Sequence, residues 1–255
     1  MPLLNKLKAL LFDVDGTLAD TERDGHRVAF NQAFAEAGLD WNWGTETYGQ
    51  LLKVTGGKER IRYFIDEFPA AFNAPVDLDG FIRGLHQVKT QHYVALLKSG
   101  AIPLRPGVER LLNEARTAGL RMGIASTTTL ENVTTLLRAT LGEESIEWFE
   151  VIAAGNVVPE KKPKPDIYLY AMQQLGITAV NCLAFEDSEN GFLSSTAAGI
   201  KTLVTVNSYT RRQDFDGAAI VLDKLGEPDA GFTVIAGNAG EATYVDVPFI
   251  KRLFT

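Results

Sequence analysis

Apolar residues along this chain follow two kinds of pattern. Short, nearly unbroken apolar runs stand at Ala9–Phe12, Arg121–Ala125, Glu150–Ala154, Cys182–Phe185 and Thr202–Val206. Runs of this length, bounded by polar or glycine-rich clusters, predict strands buried on both faces. Segments with apolar residues at helical spacing lie between them, over Val108–Ala118, Leu130–Ala139, Asp166–Leu175 and Gly191–Ala198. Strands alternating with helices predict a parallel sheet covered on both sides. Ala219–Leu222 reads as a last edge strand.

The first run is separated from the others by a long stretch with no strand pattern. Val28, Phe30, Phe34 and Leu39 recur at loosely helical spacing, and Gly38 suits a helix stop. A polar patch containing Trp41, Trp43 and Gly44 follows, then a helix over Glu46–Leu52. After the break Thr55-Gly56-Gly57, the segment Lys58–Phe68 places Ile61, Phe64, Ile65 and Phe68 on one face. A linker over 69–75 leads to a longer helix, Leu78–Leu97, weakened by Gly80 and Gly84. The predicted fold class is therefore α/β. A Rossmann-like parallel-sheet core, residues 1–21 and 98–255, carries a helical cap domain, 22–97, inserted after strand one. The two connections fall near 18–22 and 98–106. The tail after Gly226 is expected to end in a short helix around Pro248–Phe254 and is assigned no chemistry.

Composition narrows the classes of function. The chain has 255 residues, a formal net charge of -7, 45% hydrophobic and 22% charged residues. An acidic chain of this kind argues against a general nucleic-acid binder, yet one local basic pocket is enough to hold a small anion. The single cysteine, Cys182, sits in an apolar strand context, so no intramolecular disulfide is expected. No apolar run approaches the roughly 18 residues that span a bilayer, and no membrane partner is expected. Lys6, Lys8 and Asp13 interrupt the N-terminal region too early for a secretory segment. A cytoplasmic monomer is expected, or one imported elsewhere after losing a segment absent from this sequence.

The chemistry gathers where strands end. Asp13 and Asp15, followed by Gly16 and Thr17, close the first run. Ser126 and Thr127 follow the second strand, Glu186 and Asp187 follow the strand at 182, and Lys162 precedes the helix at 166. Open α/β sheets bind ligands outside the carboxyl ends of their strands, so all of these would share one rim. Carboxylates crowded at i and i+2 repel each other and favour a hard divalent cation, Mg²⁺ first among them. Hydroxyls and the N–H groups of a following helix suit phosphate oxygens, and a lysine offsets the charge the anions share.

Taken together, Asp13-Val14-Asp15-Gly16-Thr17, Ser126-Thr127, Lys162-Pro163-Lys164-Pro165-Asp166 and Glu186-Asp187-Ser188 resemble the four ordered motifs of the haloacid-dehalogenase-like phosphohydrolases. The helical insertion resembles the cap of the subgroup that holds β-phosphoglucomutase and phosphoglycolate phosphatase. Ala19-Asp20-Thr21-Glu22, His26 to Asn31, Thr55 to Arg60 and Glu186 to Gly191 look most like the CbbY-type phosphatases, which act on xylulose 1,5-bisphosphate. The resemblance implies Asp13 as nucleophile and Asp15 as general acid and base. It implies Mg²⁺ on Asp13, the Asp15 carbonyl and Asp187, with Glu186 close by. Ser126, the following backbone N–H at Thr127, and Lys162 would hold the phosphoryl group.

In the cap, Lys58 and Arg60 open a helix, where cations oppose the helix dipole and an incoming anion would explain them. The resemblance assigns Lys58 and Arg60 to the phosphate that is not cleaved, and Glu22 and Tyr48 to sugar hydroxyls. His26 matches the subgroup's cap histidine, but this chain carries one more residue between Thr21 and His26 than that pattern has. The implied activity is a Mg²⁺-dependent sugar-phosphate phosphatase. A phosphomutase, a phosphoglycolate phosphatase and a non-catalytic phosphosugar-binding protein are the alternatives.

Overall fold

The computed structural model describes residues 6–54, 56–68 and 72–254. It divides into two compact units, Met1–Asp20 with Pro103–Thr255, and Thr21–Ile102.

The first unit is built on a seven-stranded sheet in the order β3-β2-β1-β4-β5-β6-β7. The strands are β1 (Ala9–Phe12), β2 (Arg121–Ser126), β3 (Val151–Ala154), β4 (Cys182–Glu186), β5 (Lys201–Thr205), β6 (Ile220–Leu222) and β7 (Val234–Ala236). All pairings are parallel except β6 with β7. β1 and β4 are buried at every position, which is why their sequences run apolar without alternation. Helices α5 (Val108–Thr117), α6 (Leu130–Leu141), α7 (Asp166–Leu175) and α8 (Glu189–Ala197) provide the crossovers. From β1 the chain moves outward through β2 to β3, then returns to the other side of β1 as β4. Strand order reverses there, and such a switch point opens a crevice at the strand ends.

The tail is more structured than its sequence suggests. β7 pairs with β6, and α9 (Val247–Phe254) follows. Arg110 of α5 holds this segment. Its guanidinium donates to Glu227 Oε2 at 2.8 Å, to the carbonyl of Gly226 at 2.6 Å and to that of Val245 at 3.0 Å. β7 escaped the pattern reading because it is three residues long and exposed throughout.

The second unit is helical. It contains α1 (Arg27–Glu36), α2 (Thr45–Leu51), α3 (Gly57–Glu67) and α4 (Leu78–Lys98). Trp41 and Trp43, expected in a polar patch, are instead buried among aromatic rings. The Trp43 ring lies 4.7 Å from that of Phe30 and 5.3 Å from that of Phe64, and Trp41 stands edge-on to Phe34 at 5.3 Å. The polar neighbours of Trp43 are absorbed locally. Asn31 donates through Nδ2 to the Trp43 carbonyl at 3.0 Å and accepts its N–H at 2.7 Å. The unit ends at Ile102 rather than 97, because the chain past α4 stays packed within it: Ile102 is buried near Gly25. Of the expected linker over 69–75, residues 69–71 lie outside the described residues and 72–77 are non-helical.

The first turn before α1 is widened. Over Glu22–His26 the N–H of Arg27 reaches back five residues to the carbonyl of Glu22. A turn of this kind accommodates one extra residue within a helix. Glu22–His26 is also the stretch where the resemblance implies one more residue between Thr21 and His26 than the subgroup's pattern has.

Candidate active site

β1 and β4 lie side by side with Phe12 opposite Phe185, their rings stacked at 4.6 Å. The ladder continues one step, the N–H of Asp13 donating to the carbonyl of Phe185 at 3.0 Å. The next positions, Asp13 and Glu186, therefore emerge together at the switch point. Asp187 completes the group, and oxygens of these three buried carboxylates lie within 4.8 Å of one another. Asp15 adds no carboxylate to it, and its expected part there is a backbone carbonyl.

Lys162 is the counter-charge. Its side chain is 7% exposed, and Nζ donates to Asp13 Oδ1 at 2.6 Å and Glu186 Oε1 at 2.7 Å. Tyr168, one turn into α7, donates its hydroxyl to the same Glu186 oxygen at 2.5 Å. Glu186 is fully buried, and its other oxygen, Oε2, has no hydrogen-bond partner. Gly191 makes room for that oxygen, since a β-carbon there would stand 1.9 Å from it.

Asp187 is held by Asn207, whose Nδ2 donates to Oδ2 at 2.7 Å. The orientation of the Asn207 amide is fixed in turn, because its Oδ1 accepts the N–H of Tyr209 at 2.9 Å. On its other side Asp187 presses on Gly16, where a β-carbon would meet Oδ2 at 2.2 Å. Gly16 also has φ +89°, so both space and backbone demand glycine.

Burial raises the pKa of Glu186 to about 7, with Asp13 pushing the same way and Lys162 pulling back. Burial, then Asp13 and Glu186, raise Asp187 well above the ordinary carboxylate range. Burial disfavours the charged form of Lys162, but Asp13 and Glu186 more than offset this and hold its pKa up. The Lys162 ammonium, with Arg105 also drawing on Asp187, does not offset burial and the mutual repulsion of the carboxylates. An under-compensated cluster of hard oxygen donors with an unpartnered carboxylate oxygen fits a divalent cation such as Mg²⁺.

Ser126 ends β2 and is buried, its Oγ accepting the N–H of Thr128 at 3.4 Å. Thr127 is exposed. Helix α6 is capped by Thr129, whose hydroxyl accepts the N–H of Asn132 at 3.3 Å, so capping does not occupy Ser126.

In the helical unit, Glu22, Tyr48 and Arg60 form one network. The Tyr48 hydroxyl donates to Glu22 Oε2 at 2.5 Å and accepts from an Arg60 terminal nitrogen at 2.7 Å. That nitrogen is 3.6 Å from the Glu22 carboxylate, and Arg60 Nε is buried without a partner. Lys58 is exposed and lies in a separate groove with Arg62, Tyr63 and Asp79. Thr55 lies outside the described residues. His26 Nδ1 accepts from Lys89 Nζ at 2.8 Å, and its ring stacks on Tyr93 at 3.9 Å. Burial, then Lys89, Arg60 and His86, lower its pKa well below the usual value.

Asn207, Tyr168 and Gly191 escaped the sequence reading. Asn207 stands just past a predicted strand, as Ser126 and Glu186 do, and the same strand-end rule would have found it. Nothing local marks Tyr168, and Gly191 stands in the Glu186–Gly191 stretch that carries the resemblance without a role of its own there.

The haloacid dehalogenase-like hydrolase family profile matches residues 7–199. Protein CbbY of Rhodobacter capsulatus is 49% identical over 213 residues, covering 84% of this chain and 91% of that protein. A crystal structure of CbbY from Rhodobacter sphaeroides in complex with phosphate superposes with a TM-score of 0.76 at 46% identity, covering 86% of this chain and 94% of that one. A mutant of that protein, crystallised in complex with xylulose-(1,5)bisphosphate, matches with the same TM-score, identity and coverage.

Proposed function

The chain belongs to the haloacid dehalogenase-like hydrolases and is a phosphatase of that family, and on that premise we propose that it hydrolyses xylulose 1,5-bisphosphate or a similar sugar bisphosphate through a phosphorylated Asp13. The observation that carries this reading is the meeting of Asp13, Lys162, Glu186 and Asp187 at the switch point of the sheet.

Asp13 attacks phosphorus as the bond to the sugar oxygen breaks, and Asp15 gives that oxygen its proton. Asp15 then takes a proton from the water that attacks the phosphorylated Asp13, and the carboxylate is regenerated. Lys162 orients the Asp13 carboxylate, and with Ser126 and the Thr127 N–H it holds the phosphoryl oxygens. Asp13, Asp187 and the Asp15 carbonyl, with Glu186 beside them, would hold Mg²⁺, which would supply the charge neutralisation that such transfers need.

Glu22, Tyr48 and Arg60 bind the part of the substrate that is not cleaved, with Lys58 as a further cation. The unpartnered Arg60 Nε supports an anionic ligand there. The relative crystallised with xylulose-(1,5)bisphosphate supports the substrate class.

The test is a phosphate-release screen with Mg²⁺ across mono- and bisphosphorylated pentoses and hexoses. Phosphate should appear in step with substrate loss, fastest on xylulose 1,5-bisphosphate. An isomeric sugar phosphate formed without phosphate release would establish a mutase instead. Asp13→Asn should abolish turnover while keeping the circular dichroism spectrum, and unchanged turnover would refute the nucleophile assignment.

A further inference from the structure

Arg105 has no part in the chemistry proposed above, yet it is buried, 8% exposed, and heavily bonded. It stands where the chain re-enters the sheet unit, three positions into the second segment. Its backbone N–H donates to the carbonyl of Leu18 at 2.8 Å, and Leu104 beside it bridges to Ala19. Its guanidinium donates to the carbonyl of Gly16, to that of Thr205 at 2.8 Å, and to those of Val206 and Asp223 at 2.7 Å. It also reaches the Thr205 hydroxyl at 3.1 Å, with the Asp20 carboxylate at 3.6 Å.

Four of these acceptors are backbone carbonyls, and the guanidinium also draws electrostatically on the Asp187 carboxylate. What these carbonyls share is position. Gly16 belongs to the turn that carries Asp15. Thr205 and Val206 lead into Asn207, which holds Asp187. Gly16 is itself the surface on which Asp187 rests. The Gly16 N–H is fixed by the carbonyl of Ala19 at 2.8 Å, so Arg105 fixes the other side of the same turn. The forked guanidinium spans acceptors from the β1 loop and the ends of β5 and β6 at once, which an ammonium group cannot do.

We propose that Arg105 is a positioning residue for phosphoryl transfer: it clamps the Asp15–Thr17 turn to the strand ends that carry Asn207, and so sets the spacing between that turn and Asp187. The clamp rests on the phosphatase reading for its catalytic consequence, and on the geometry alone for its effect on the acidic cluster.

Arg105→Lys keeps the charge and loses the fork, and Arg105→Met loses both. Arg110→Lys is the control, because Arg110 makes a comparable set of bonds whose acceptors, Glu227, Gly226 and Val245, lie in the tail and not among the cluster residues. For each purified, folded variant the measurements are thermal unfolding, kcat and KM for phosphate release, and Mg²⁺ binding by titration calorimetry. Loss of an outer support of this kind typically costs about 10- to 100-fold in activity or metal affinity. Arg105→Lys should lose kcat and Mg²⁺ affinity on that scale, with KM within about threefold of wild type. Arg110→Lys should lose melting temperature and keep kcat. Wild-type kcat in Arg105→Lys, or equal kcat losses in the two lysine variants, overturns the clamp. If the wild-type protein releases no phosphate from any phosphosugar, the functional reading has failed on its own. Mg²⁺ titration then decides, and an unchanged dissociation constant in Arg105→Lys overturns the clamp.

Discussion

Replacing Gly16 with alanine probes the packing of the acidic cluster directly. The new methyl group meets two obstacles. Its backbone must hold φ +89°, which costs a residue with a β-carbon about 1–2 kcal/mol, offset by about 0.4–1 kcal/mol from the stiffer unfolded chain. The net loss of about 1 kcal/mol lowers the melting temperature by roughly 2–4 °C in a chain of this size. The second obstacle is Asp187, whose Oδ2 would stand 2.2 Å from the methyl carbon, with Asn207 Nδ2 at 2.8 Å. Restoring ordinary contact requires a displacement of about 1 Å. Asp187 and Asn207 are bonded to each other, so they move together. A 1 Å misplacement at a reacting centre costs about 100-fold in rate, or roughly 2.7 kcal/mol of barrier.

Gly119→Ala separates the two effects. Gly119 has φ +69° with nothing within 4 Å of a β-carbon, so it carries the backbone cost without the collision. Gly119→Ala should lose a few degrees of melting temperature, read by circular dichroism, and Gly16→Ala more, since its collision adds an overpacking cost of about 1–3 kcal/mol. Only Gly16→Ala should lose phosphate release at saturating Mg²⁺, by about two orders of magnitude. A Gly16→Ala protein with the turnover of Gly119→Ala would show that Asp187 need not stand where Gly16 allows it.

Two further outcomes can be stated. Tyr48→Phe removes the hydroxyl that joins Arg60 to Glu22, and it should raise KM for a sugar bisphosphate by roughly tenfold with a smaller change in kcat; a KM equal to wild type would remove this network from the substrate site. Because the folded pKa of His26 lies below its unfolded value, its contribution to stability is present above about pH 6.5 and is lost as pH falls toward the folded value, with a slope of up to about 1.4 kcal/mol per pH unit. Urea unfolding between pH 7 and 5 should therefore show a shallower loss in His26→Gln than in wild type, and parallel slopes would contradict the buried, neutral assignment.

The sheet was legible because parallel strands covered on both faces must be apolar at every position, and such runs are short and hard to mistake. The same logic failed at β7, where Val234 and Ile235 are exposed and only pairing with β6 makes a strand. Asp13, Ser126 and Glu186 could be found because strand ends in such a sheet converge whatever the loops do. Tyr168 and Gly191 could not, since one acts through a hydroxyl at the end of a long side chain and the other through the absence of an atom. Trp41 and Trp43 were misjudged for a related reason. Their sequence neighbours are polar, and the bracket that Asn31 forms around Trp43 exists only once the helices have packed.

The swollen helical turn over Glu22–His26 has an evolutionary and practical corollary. In an ordinary helix, adding or removing one residue rotates everything ahead of it by about 100°. Here the surplus is confined to a single loop of backbone, with α1 intact behind it and the Glu22 carboxylate at its leading edge. Deleting Arg23 or Asp24 would tighten the spiral and swing Glu22 off Tyr48 without disturbing the aromatic packing of α1. Length at this one place thus sets where the Glu22 carboxylate stands relative to Tyr48, independently of the buried rings of α1.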